Sequence, residues 1–421
     1  MKVVYMTREY PPNVYGGAGV HVEYLAREVS RHATVEVKCF DGRRATSGNP
    51  SVTGYAFRED VFEGNPRRVR QALMALQTCM YFNAAPVEAD IVHCHTWYSM
   101  WGGILAKIAY GIPLVATVHS LEPMRPWKRE QLGRGYDLSS WVERTALEMA
   151  DAVIAVSLSD REQILARFAI KPEKISVIPN GVDTQMFRQV ATTGSLELYG
   201  IDPERPYVLF LGRVSRQKGI DHFLRAAFHF DREIQIVLCA AAPDTAEFAL
   251  EIQDLVSALE KEGRPIVWIR NMVERKAAIE LYSHAAVFCC PSIYEPFGII
   301  NLEAMACETP VVASAVGGIN DVVVHGETGY LVGFEAMSSN DASPKKPGKF
   351  ASDLAQRINC LVADAGLRSE MGQRGRKRVV EKFSWEAVAA EALRIYRKLE
   401  VSANRKKIKG KEQGDHDTKH T

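Results

Sequence analysis

The chain has 421 residues, 47% of them hydrophobic, which is enough apolar content for more than one core and sets two domains as the expectation. Lys and Arg number 52 against 51 acidic residues, so no global field draws the protein to nucleic acid or to an anionic membrane, and any basic function must be local. The eight cysteines lie mostly in apolar runs, without a CxxC or the paired spacing of a zinc site, and read as reduced, buried thiols.

The first residues, MKVVYMT, run directly into a strand pattern, without the basic segment, apolar core and cleavage site of a secretory signal. No apolar run reaches membrane-spanning length, and a soluble cytoplasmic protein is expected. Short apolar runs then alternate with amphipathic segments: Val3 to Met6, Val35 to Phe40, Ile91 to His93, Leu114 to Val118, Ala152 to Ala155 and Ile175 to Ile178 read as buried strands. A second series follows at Tyr207 to Leu211, Ile234 to Ala240, Ile266 to Ile269, Ala286 to Cys290 and Pro310 to Ser314. Strands alternating with helices imply parallel sheets, hence an α/β chain of two doubly wound domains. The division is expected near residue 190, giving domains 1–190 and 191–384. A closing helix is expected over 385–400, introduced by the capping residue Ser384, and a disordered polar tail over 401–421. The insertion Ser338 to Lys349 reads as a mobile surface loop.

After the first strand, TREYPPNVYGGAG places Gly16, Gly17 and Gly19 at a helix start, where backbone N–H groups and the helix dipole suit a phosphate. A tight turn and an NAD site compete with that reading. Asp41 lies at a suitable distance for NAD, but Val22 stands where the third glycine should be. In GRVSRQKG, Arg213 and Lys218 flank the loop after a strand, a placement that suits a diphosphate and the charge growing on it as it departs. YEPFGIINLEAMA carries Glu295 and Glu303. Along a helix they would stand about 12 Å apart, beyond the roughly 5 to 10 Å of a hydrolytic pair, so the glycosidase reading fails. Glu295 instead sits at a helix entrance with the N–H groups of Gly298, Ile299 and Ile300, and Glu303, one turn in, suits a ribose diol. His93 and His95 alternate on one strand face with no carboxylate near in sequence and read as structural. His119 follows LVATV and should point into the interdomain cleft. Beyond it, Arg125 and Lys128 around Trp127 suit a phosphorylated sugar, with a solvated loop as the alternative.

In order, GGAG, HSLEP, VIPNGVD, GRVSRQKG, EPFGIINLEAMA and GETGYLV resemble the retaining glycosyltransferases of family 4, across nearly the whole chain to about residue 400. Within that group, HCHTWY and HSLEPMRPWK look like the short bacterial glycogen synthases, including those that form maltose 1-phosphate. The resemblance implies the GT-B fold, with an acceptor-side N-terminal domain, a sugar-nucleotide-binding C-terminal domain and a final helix crossing back to the first. It implies that Arg213 and Lys218 hold the donor diphosphate, Glu303 the ribose, Glu295 the hydroxyls of the transferred glucose, and that His119 contacts that glucose near its reacting carbon. His95 and Trp97 join Arg125 and Lys128 as acceptor-side candidates. The reaction implied is front-face transfer with retention from ADP-glucose to the 4-hydroxyl of an α-glucan or of glucose 1-phosphate, without cofactor or metal. The expected partners are a sugar nucleotide and a glucan or sugar phosphate, with a homo-oligomer left open. Two departures from the long synthases stand out: Val14 and Tyr15 precede the glycine pair where those enzymes carry a lysine, and Thr96 replaces the Asp of their His-Asp-Trp motif. Mannosyl or sucrose-type transfer, an NAD-dependent oxidoreductase and a non-catalytic carbohydrate-binding protein remain as alternatives.

Overall fold

Runs such as LVATV and VFCC are buried at every position, as strands must be when helices cover both faces of a sheet. The computed structural model describes residues 1–417 apart from Tyr15, Asp41 and 339–342; Asp41, the acid weighed for NAD, therefore lies outside the described residues. The first sheet contains β1 (Lys2–Thr7), β2 (Thr34–Cys39), β3 (Arg44–Thr46), β4 (Ser51–Gly54), β5 (Ile91–His95), β6 (Leu114–Val118), β7 (Ala152–Ala155) and β8 (Ile175–Val177). Their spatial order is β3-β4-β2-β1-β5-β6-β7-β8, all parallel except β3, which pairs antiparallel with β4. The second contains β9 (Tyr207–Arg213), β10 (Gln235–Ala241), β11 (Ile266–Ile269), β12 (Val287–Cys290), β13 (Val311–Ser314) and β14 (Gly329–Val332), in the order β11-β10-β9-β12-β13-β14. Each sheet reverses direction beside its first strand, at β1/β5 and at β9/β12. Ligands of open α/β sheets gather at the carboxyl ends of such strand pairs.

The two series of strands match the two lobes read from the pattern. β3, β4 and β14 were not foreseen, because RAT and SVTG are too short and polar to stand out, and β14 lies within GETGYLV. Val182 and Phe187 already pack into the core of the second lobe, a few residues before 190. Just before Val182, Gly181 passes close to the closing helix: an added Cβ would lie 2.8 Å from the ring of Trp385. Trp385 opens the closing helix and stacks on Tyr24, and Val388, Leu393 and Tyr396 continue its apolar face against Tyr5, Val22 and Leu25 of the first lobe.

That helix runs over Trp385–Asp417 and not to residue 400. It thus takes in most of the segment expected to be a disordered tail. The sequence ANRKKIKGKEQ is polar, but it is built from good helix formers with one glycine, and polarity alone does not break a helix. The expected mobile loop is also shorter than read. The Met337 N–H donates to Ser343 O and Lys345 N–H to Glu335 O, both at 2.8 Å, and Pro347 begins a helix through Ala363, a position where proline is favoured. Residues 339–342 of that loop lie outside the described residues. No helix among the described residues is long and apolar enough to cross a membrane.

Candidate active site

Between the lobes lies a cavity of about 710 Å³, lined from the first lobe by the ends of β1, β5 and β6 and from the second by the loops after β9, β10 and β12. The lobes meet around it. The Leu121 N–H donates to the Tyr294 hydroxyl at 2.9 Å, and Arg275 pairs with Glu23 at 2.6 Å.

On the second lobe, Arg213 and Lys218 both face the cavity. Each is held by a carboxylate: Arg213 Nη1 by Asp244 at 3.0 Å, and Lys218 Nζ by Glu295 at 2.6 Å. Ser292 also donates to Glu295, which is buried. The helix Ile299–Ala306 starts at Gly298, whose φ of 88° and the 2.5 Å between an added Cβ and the Asn301 amide leave room for glycine alone. Gly298, Ile299 and Ile300 line the cavity as expected. Glu303 does not. It is half-buried behind them, accepts from the Tyr282 hydroxyl at 3.1 Å, and burial lifts its pKa to about 7.

On the first lobe, Gly16 and Gly17 line the cavity, while Gly19 is packed inside the helix, where an added Cβ would lie 2.9 Å from Glu9 and Val14. The expectation that Gly19 touches a phosphate is corrected: its lack of a side chain serves helix packing. His119 faces the cavity and Trp97 lines it. His95 does not, being fully buried one layer behind with its Nδ1 at 3.0 Å from His119 Nε2. It is therefore a partner that sets the ring of His119, and its placement among acceptor contacts is corrected; strand alternation identified its face but not that this face is covered. His93 is structural as read, bonded at 2.7 Å to both Tyr396 and Thr117.

His21, which the sequence did not single out, completes the group. It comes from the first helix, its Nδ1 meets Asn180 Oδ1 at 2.5 Å, and His21, His95 and His119 each have a ring nitrogen within 4.8 Å of the others. Burial holds His21 at a pKa of about 4 and, with the neighbouring imidazoles, keeps His95 and His119 well below the usual range. These rings are neutral at pH 7, so His119 offers a hydrogen bond and no positive charge.

Arg125 and Lys128 line the cavity, but their charged ends turn inward. Lys128 Nζ lies 3.2 Å and Arg125 Nη1 3.7 Å from buried Glu122. Burial opposes ionisation of Glu122, yet Lys128 and Arg125 bring it below its ordinary pKa, while its neighbour Glu143 is driven up by burial and by Glu122. Neither Glu122 nor Asp244 was foreseen: Asp244 reaches Arg213 from 31 residues away, and Glu122, although only three and six residues before Arg125 and Lys128, could not be told from a solvated acid without its burial.

Two family models cover the chain: Glycosyltransferase Family 4 over residues 15–186, and Glycosyl transferases group 1 over residues 197–378. The α-maltose-1-phosphate synthase of Mycolicibacterium smegmatis is 45% identical over 403 residues, spanning 95% of this chain and 100% of that protein, and the enzyme of that name from Mycobacterium tuberculosis matches equally. Among solved structures, sucrose-phosphate synthase from Thermosynechococcus elongatus superposes with a TM-score of 0.76 at 25% identity, covering 96% of this chain and 100% of its own. Starch synthase IV from Arabidopsis thaliana, solved with ADP and acarbose, shares the fold at a TM-score of 0.71 and 18% identity, over 95% of this chain and 99% of its own. The paired sheets, the cleft between them and these matches lead to one conclusion: the chain belongs to the retaining glycosyltransferases of family 4, with the GT-B fold.

Proposed function

We propose that the protein transfers glucose from ADP-glucose, with retention, to the 4-hydroxyl of glucose 1-phosphate, forming maltose 1-phosphate, and that it extends α-1,4-glucans by the same chemistry. The observation that carries this reading is 45% identity, over nearly all of both chains, to proteins named α-maltose-1-phosphate synthase. As an enzyme of this family, the chain is neither a dehydrogenase nor a non-catalytic binding protein.

The site supplies groups for each step. Arg213 and Lys218 receive the diphosphate, with the N–H groups after Gly298 nearby and Gly16 and Gly17 across the cleft, and Glu303 accepts from the ribose once it turns from the Tyr282 hydroxyl that holds it away from the cavity. Drawn onto the diphosphate, Lys218 releases Glu295 to accept hydrogen bonds from the glucose hydroxyls. The bond from the glucose anomeric carbon to the diphosphate oxygen breaks, and the acceptor O4 forms the new bond on the same face. The O4 proton passes to the departing phosphate oxygen, so the charge growing on that oxygen is met by a proton and two cations. His119, neutral and fixed by His95, donates or accepts one hydrogen bond at the sugar without adding charge.

Donor and acceptor are tested separately. In thermal shift, a bound nucleotide at about 100 times its dissociation constant stabilises by about 2.7 kcal/mol. ADP should give a larger shift than UDP or NAD. Initial rates with ADP-glucose should be at least as high with glucose 1-phosphate as with glycogen; brisk glycogen extension with no product from glucose 1-phosphate would leave glucan elongation as the activity.

A further inference from the structure

A phosphorylated acceptor needs cations free to meet it, and the two that HSLEPMRPWK offers are already taken by Glu122. The same wall of the cavity carries three others: Arg8, directly after β1, and Arg67 and Arg68, which begin the helix Arg67–Phe82. All three are exposed, and none of their side chains makes a hydrogen bond or ion pair among the described residues. Arg8 lies over the Tyr98 ring at 4.2 Å and Lys128 over the same ring at 5.6 Å, so both cations neighbour this one ring. Gln71, one helical turn beyond Arg67, lines the same stretch.

Two further observations mark this corner as electropositive. Burial would raise the Tyr98 hydroxyl, yet Lys128 and Arg8 bring it below its ordinary pKa, so positive potential outweighs desolvation there. The helix also starts RRVR with no acid in its first turn, which sets cations against both one another and the positive end of the helix dipole. Arg70 is tied to the Glu63 and Asn65 carbonyls; Arg67 and Arg68 are not so anchored. Arg68 and Glu247 line the cavity together, and the Glu247 carboxyl is held below its ordinary value by its own backbone N–H, by Thr245 and, least, by Arg68.

We propose that Arg8, Arg67 and Arg68, beside Tyr98 and Gln71, form the binding site for the phosphate of a sugar 1-phosphate acceptor. The role expected of Arg125 and Lys128 passes to them, and those two residues instead shape the loop with Glu122. The assignment rests on the proposed function. Paired guanidinium groups offer a phosphate dianion two-pronged, charge-assisted hydrogen bonds, which a neutral glucan end does not use. The site therefore selects between acceptors and leaves the donor alone.

The test compares the full-length protein with its Arg8→Ala and Arg67→Ala/Arg68→Ala variants under ADP-glucose and varied glucose 1-phosphate. The KM for glucose 1-phosphate should rise more than tenfold in each, with that for ADP-glucose within twofold of wild type and a partial return in Arg8→Lys. Inorganic phosphate should compete with glucose 1-phosphate in the wild type and lose that competition in the variants. An unchanged acceptor KM in both variants overturns the site while leaving the reaction standing. If the wild type forms no product from glucose 1-phosphate, the functional reading fails instead, and calorimetry with inorganic phosphate decides the site: binding lost in Arg67→Ala/Arg68→Ala supports it, and equal binding overturns it.

Discussion

The second-lobe wall of the cavity holds its two cations on carboxylates, Arg213 on Asp244 and Lys218 on Glu295, whereas the first-lobe wall divides its cations into two sets. Arg125 and Lys128 share the single carboxylate of Glu122 beneath the surface, and Arg8, Arg67 and Arg68 stand above it without an ion pair among the described residues, with only Glu247 across the cleft acting on Arg68. A cation parked on a carboxylate keeps its orientation and is available only to a ligand that displaces its partner, which a diphosphate with several charged oxygens does well. A cation without a partner takes any anion of the right size. On this account the donor wall is built for chemistry and the acceptor wall for recognition, and mutations on the two should separate into changes of kcat and changes of KM.

The largest effect should fall on the buried set. Removing one partner of a buried ion pair costs about 3–5 kcal/mol, so Glu122→Gln, which orphans Lys128, should lose that much stability in urea unfolding. A loss below about 1 kcal/mol would show that the acceptor loop does not depend on this pair.

Next come the donor cations. Losing one group that stabilises a developing anion costs about 2.7–4 kcal/mol, so Lys218→Ala and Arg213→Ala should each lower kcat by about a hundred- to a thousandfold, with little change in acceptor KM. Near-wild-type turnover in both would break the contrast between the walls.

Glu295→Gln should be milder. It exchanges charge-assisted hydrogen bonds worth about 1.5–3 kcal/mol for neutral ones, so a roughly ten- to a hundredfold loss with retained stereochemistry is expected. A glycosyl adduct on Glu295 in the wild type, detected by mass spectrometry, would make it a nucleophile and refute the front-face route.

The smallest effect is a pH slope. Burial raises Glu303 from 4.5 to about 7, so the folded protein holds a proton that the unfolded chain releases. Its stability contribution is complete below about 4.5 and is lost as pH rises through about 7. Melting temperatures of Glu303→Gln should decline less between these pH values than those of the wild type, and parallel curves would remove Glu303 as the cause.

Much of this arrangement was readable in the chain. β6 was foreseen to the residue because four apolar residues and the β-branched Thr117 are bounded by Pro113 and His119, and Arg213, Lys218 and Glu295 come together because they end or follow the strands at the switch between β9 and β12. Arg8 follows β1 as His119 follows β6, so the rule that found the histidine reaches the arginine as well. What escaped was set by packing between distant segments. His95 lies on the expected strand face, but His21 and Tyr5 cover that face. Asp244 reaches Arg213 from 31 residues away, and Glu303 is turned from the cavity toward Tyr282.

The central claim, retentive transfer of glucose from ADP-glucose to glucose 1-phosphate, is tested most directly by following the reaction of ADP-glucose labelled with carbon-13 at the anomeric carbon by NMR. The account predicts one new α-linked anomeric signal, coupled to release of one ADP per linkage, in a product that keeps its phosphate. A β-linked product, or free labelled glucose as the sole fate of the donor, would contradict it.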